Sequence, residues 1–162
     1  MPLGYLPNPL PPAKGLDGED NYQILVYDRE GGDLLGVALR TSMNGIAHHA
    51  MRDAVEAYPG KYLVETNSYF IIRALVAPTG KPNEFGWIEC DDMVLEHLPQ
   101  WYGLVAKCAC GYYGHVDRYD PRVQAWKSYP LSRTAAKLSC DDCKQAKRPR
   151  QEIKIGLCKL PR

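Results

Sequence analysis

Long apolar runs are missing from this chain of 162 residues. The longest candidate, around Tyr69 to Ala77, is broken by Arg73 and closed by Pro78, well short of the roughly 18 residues that a membrane-spanning helix needs. Met1 to Pro9 carry neither a basic segment nor an apolar one of signal-peptide type, so a reducing, cytosolic setting is expected. Familiar catalytic signatures are absent too: there is no Gly-rich loop ending in Lys-Ser/Thr, no Gly-x-Ser-x-Gly and no His-Glu-x-x-His. Those absences exclude phosphate-loop, nucleophile-elbow and zincin chemistry. With no convincing paired carboxylates or nucleophile and base either, a non-enzymatic role is expected. Nothing repeats at a fixed period, which excludes a solenoid or propeller.

What is present is an ordinary globular composition, 45% hydrophobic and 24% charged, enough for one domain or a domain with a small module. It excludes a disordered or collagen-like chain. The net charge of +1 conceals a division: residues 1–100 sum to −7 and residues 101–162 to +8. Such asymmetry points to a polyanionic partner for the basic part, or to two oppositely charged parts that pack together.

Residues 1–21 hold Pro2, Pro7, Pro9, Pro11 and Pro12 with three glycines, a density that removes backbone donors and favours an extended arm. Tyr5, Leu6 and Leu10 would be its apolar anchors for a partner. From Tyr22 the pattern becomes β-β-α-β-β. Tyr22–Tyr27 and Leu34–Leu39 read as a hairpin around Asp28–Asp33, and Lys61–Thr66 and Tyr69–Val76 as a second pair around Asn67-Ser68. Between them Ala47, Ala50, Met51, Ala54, Val55 and Tyr58 recur at spacings of three and four. That stripe predicts a helix from about Met43 to Tyr58, capped by Ser42 or Asn44 and stopped by Pro59-Gly60. A small antiparallel sheet with one packed helix makes residues 22–100 an acidic α+β domain. Trp87–Glu89 reads as a further strand, and Asp91 as the cap of a short helix through Val94, Leu95 and Leu98. On the helix's polar face His48 and His49 stand with Arg52, Asp53 and Glu56. His49 and Asp53 are an i, i+4 pair, which reads as solvated surface or as a second metal or acid–base site.

Residues 101–162 form a basic module with a thin core of its own. Its strongest signal is Cys108-Ala109-Cys110-Gly111 followed, after 29 intervening residues, by Cys140-Asp141-Asp142-Cys143. Structural zinc sites take four soft ligands in a tetrahedron, and two close cysteine pairs on separate turns supply them. Gly111 suits the sharp turn that aims backbone amides at sulfur. His115, five residues past Cys110, is an alternative ligand. Buried free thiols, disulfides and an iron–sulfur cluster are the other uses of the same residues. Cys90 and Cys158 form a leftover pair, Cys158 lying in the alternating, strand-like segment Ile153–Leu160 and reading as core.

Over residues 104–145 the two cysteine pairs resemble the knuckles of zinc-ribbon and treble-clef modules. The resemblance implies a docking platform for nucleic acid or protein. A second signal agrees with it: from Arg133 to Arg162 nine Lys/Arg face three acidic residues. Lys144, Lys147, Arg148 and Arg150 can neutralise phosphates, while Tyr112, Tyr113 and Trp126 can stack on bases. The same run also suits an acidic protein surface or simple solvation. Expected, then, is a zinc-stabilised docking protein for nucleic acid or a nucleic-acid-processing machine. The alternative is a small inhibitor or adaptor, of viral or mobile-element accessory type, with a single protein partner.

Overall fold

In the computed structural model, which describes residues 21–68 and 70–161, the chain is α+β, with two four-stranded antiparallel sheets and few helices. The proline-rich arm and Tyr69 lie outside the described residues. Contacts divide the chain into two units between Ala77 and Pro78.

The first unit runs β1 (Tyr22–Tyr27), β2 (Leu34–Thr41), α1 (Asn44–Ala57), β3 (Tyr62–Asn67) and β4 (Phe70–Val76), with sheet order β2-β1-β3-β4. Strand alternation splits its apolar residues between two faces. Leu25 and Val64 cluster with Tyr27, Val37, Tyr62, Ile71 and Ala74 on one. Ile24, Val26 and Leu63 therefore point to the other. Ala47, Met51, Ala54 and Val55 are the buried stripe of α1, which packs on β1, β2 and β3. Two details differ from the expected helix. Met43 is the N-cap, and neither Ser42 nor Asn44 caps by its side chain: Asn44 already lies in the first turn, and Thr41 Oγ1 accepts the Met43 N–H at 3.1 Å just before it. Tyr58 has left the helical path, and its ring is 38% exposed instead of joining the stripe.

The second unit contains β5 (Trp87–Glu89), a 3-10 turn (Leu95–His97), β6 (Tyr102–Cys108), β7 (Tyr113–Val116), short helices α2 (Pro121–Gln124), α3 (Leu131–Ala135) and α4 (Asp141–Gln145), and β8 (Ile153–Lys159). Its sheet order is β5-β8-β6-β7, so the alternating C-terminal segment is a central strand. Cys158 on it is half-buried, while Ile155 and Leu157 are fully buried. The division between units thus falls at 77/78 and not at 100. Trp87–Glu89 pairs with Gly156–Cys158, and the Asp91 and Met93 carbonyls accept the Ser132 and Leu131 amides at 3.1 and 2.8 Å. Asp91 is consequently an anchor for α3 and not a helix cap; Val94 is the residue before the 3-10 turn. Moving the boundary also moves charge: residues 1–77 sum to −3 and 78–162 to +4, because the acidic stretch Glu84–Glu96 shares a unit with the basic tail.

Register fixes the two faces of this sheet. Leu104, Ala106 and Cys108 of β6 share one with Gly114 and Val116 of β7 and with Ile153, Ile155 and Leu157 of β8. Val105, Lys107, Tyr113 and His115 lie on the other, where Trp87 packs edge-on against Tyr113 with ring centres 6.4 Å apart. Gly156 makes room for that indole, since a Cβ there would fall 2.1 Å from it.

Candidate metal centre

Cys108 ends β6, and the chain turns at once into β7. Gly111 has φ +96°, a left-handed conformation that costs a side-chain-bearing residue energy and glycine little. The Gly111 N–H bonds the Cys108 carbonyl at 2.9 Å, and the Cys108 N–H bonds the Tyr112 carbonyl at 2.9 Å. In this tight knuckle the backbone N–H of Cys110 donates to the Cys108 sulfur and that of Tyr112 to the Cys110 sulfur. The second pair straddles a helix start. Cys140 immediately precedes α4 and Cys143 lies inside it, so a single turn brings the two sulfurs to one side.

The four sulfurs all lie within 4.8 Å of one another. Cys108 Sγ is 3.8 Å from Cys143 Sγ, and Cys110 Sγ 3.7 Å from Cys140 Sγ. Zinc–sulfur bonds of about 2.3 Å in a tetrahedron require sulfur–sulfur edges of about 3.8 Å. All four thiols are free, with none joined in a disulfide. Cys108, Cys140 and Cys143 are buried, with Cys110 and Ile153 packed against them. Donor type, number, spacing and shielding therefore fit a metal ion, and the cluster can form a zinc site.

Electrostatics show what such a cation would relieve. The Tyr112 N–H, followed by the Cys108 thiol, draws Cys110 down to about 7. Burial first, then the neighbouring thiols, push Cys143 up to about 12. The Cys110 N–H pulls Cys108 down, but burial and the Cys110 and Cys140 thiols outweigh it and leave Cys108 raised. Crowded thiols resist becoming a set of thiolates, and a bound cation reverses that balance.

His115 does not join the cluster, because alternation along β7 turns it to the face opposite Cys108. His48 and His49 are exposed on α1, as a polar face requires, and no metal-ligating group forms around them among the described residues. Cys90 is buried, its thiol pushed up to about 12 by burial and then by Asp91 and Glu89, which makes it unreactive.

Of the residues singled out for stacking and charge, Tyr112, Trp126 and Lys144 line one cavity beside the cysteines, whereas Tyr113 faces the other way. Lys147 and Arg148 are exposed. Arg150 is engaged internally, its guanidinium donating to the Ala136 and Leu138 carbonyls just past α3. Arg118, which sequence pattern did not single out, clamps three carbonyls, those of Leu98, Pro99 and Tyr102, each at 3.1 Å. Nothing local marks such a role, since its partners lie 16 to 20 residues away.

Compared with known proteins, the chain matches no family model, no curated protein and no solved structure.

Proposed function

We propose that this chain is a non-catalytic zinc protein whose metal holds a small β-sheet module together, and that this module docks on nucleic acid. The observation that carries the metal is the sulfur cluster itself: four thiols within 4.8 Å, two of their separations matching the edge of a zinc tetrahedron. Four thiolates fill every position of a tetrahedral ion, leaving no open site for water or substrate, so the metal would be structural. Nucleic-acid docking is supported by the excess of Lys/Arg after Arg133, of which Lys147 and Arg148 stand free of ion pairs in solvent. Lys144 is shared with Asp141 at 3.3 Å, an exposed pair of little strength.

The test has two parts. Protein purified under reducing, chelator-free conditions should contain about one zinc per chain, and Cys140→Ser should lose it. Binding to single-stranded nucleic acid should weaken steeply with salt, and Lys147→Ala with Arg148→Ala should flatten that slope. Metal-free protein ends the zinc reading; a salt-independent interaction ends the docking one.

A second reading, an adaptor with one protein partner, draws on a different surface. Strand β4 is an edge of the first sheet and exposes Phe70 and Ile72, a place where a partner's strand can add.

A further inference from the structure

Beside the cysteines lies a cavity of about 440 Å³, and the sequence explains why it exists. On the metal-bearing face of the second sheet, Ala106 of β6 pairs directly with Gly114 of β7. These are two of the smallest side chains at one cross-strand position, and they leave a depression where larger residues would fill the space. The Tyr112 ring lies over Gly114, with a Cβ at that glycine falling 3.3 Å from ring carbon Cε1. Trp126, which follows α2, lines the same cavity and is only half-buried. Val123, Leu138 and Ile153 complete an apolar lining.

The rim is polar and nearly charge-balanced. Arg122 is held by Asp120 at 2.7 Å and Lys144 by Asp141 at 3.3 Å. The Lys137 ammonium and the Tyr112 and Ser139 hydroxyls have no partner in the described structure, and His115 and Asp117 line the cavity as well, so several polar groups remain to meet a ligand. A pocket with an apolar floor, two aromatic walls and a polar rim suits a flat, uncharged ring with hydrogen-bonding edges. Of the rim cations only Lys137 is not engaged by a carboxylate, and it suits one adjoining phosphate.

We propose that this cavity takes one unpaired nucleobase of a single-stranded nucleic acid, stacked on Trp126 and Tyr112, with an adjoining phosphate on Lys137. This rests on the docking role argued above and adds the place and the strand form: a paired base presents no free face, so duplex cannot enter. The metal's part is positional. Cys108 and Cys140 are in the cavity wall, so loss of the cluster would separate the β6–β7 side from the α4 side.

Fluorescence anisotropy with short labelled single-stranded RNA and DNA of mixed sequence, and with matched duplex, tests it at low salt on the intact zinc-loaded chain. Trp126→Ala should weaken single-strand binding roughly tenfold, the loss expected for one base stack, and leave duplex binding unchanged. Ala106→Leu, which fills the floor but removes no aromatic ring or charge, should weaken it comparably. Tyr113→Ala, on the opposite face, should not. Zinc content and thermal melting of each variant establish that it is folded. Strong wild-type binding that survives both Trp126→Ala and Ala106→Leu overturns the cavity assignment and leaves nucleic-acid docking intact. Equal losses for single strand and duplex overturn it as well, because the contact is then to phosphate alone. No binding of wild-type protein to any of these probes overturns the docking role with it and leaves the cavity to a protein ligand.

Discussion

Glu65 is 1% exposed, and a carboxylate removed from water that far needs compensation. It comes from directly across the sheet, where Arg73 on β4 stands in register with Glu65 on β3 and pairs with it. The same guanidinium donates to the His48 carbonyl of α1 at 3.2 Å, so one side chain ties helix to sheet. In the bare sequence Arg73 reads only as an interruption of an apolar run; its partner makes it a structural requirement. Arg118 and Arg150 act in kind, offering planar donor forks to backbone carbonyls. Arg73→Met alone should cost roughly 3 kcal/mol, because it strands a buried charge. Glu65→Leu combined with Arg73→Met should cost clearly less, since it removes the charge with its partner. Urea unfolding of both variants measures the difference, and equal costs would show that the two residues are not coupled.

At the scale of elements, α1 is the helix that its sequence defines best, because its stripe obeys a period set by the helix itself. Met51 is fully buried in that stripe. Met51→Asp should therefore lower stability by roughly 3 kcal/mol or more, from lost burial together with an unpaired carboxylate. His48→Ala and His49→Ala should each change it by less than about 0.5 kcal/mol, as surface substitutions do. Thermal melts decide, and a histidine change as damaging as Met51→Asp would remove both residues from the solvent face. Local periodicity likewise makes β1 to β4 and β8 legible. What it cannot reveal is which strands pair over distance. Trp87–Glu89 reads correctly as a strand, yet its partner lies almost seventy residues on, and that pairing moves the unit boundary. Helices α2 and α3 are too short to show a period, spanning four and five residues. The cysteine set was legible because metal chemistry restricts residue type and spacing. His115 could be set aside only once β7 gave it a face.

At the scale of the whole chain, the two units have different sources of stability. The first buries Ile24, Met51 and Leu63 between sheet and helix and Leu25 on the other sheet face, and no metal-ligating cluster forms there among the described residues. In the second, three short helices of four or five residues, two of them within the 29 residues that separate the cysteine pairs, have little helical stability of their own. Cross-linking β6 and α4 through one ion would restrain that segment much as a covalent closure does, and the free energy of metal binding becomes folding free energy. Chelation under reducing conditions should therefore act selectively. Amide hydrogen exchange should rise first in residues 104–145 and in the Ile153 end of β8, which packs on the cysteines. Amides of β1, β3 and α1 should keep their protection, and added zinc should restore the rest. Both units opening together would mean that the metal supports the entire chain, and no change in either would mean that the sulfur cluster contributes no stability through a metal.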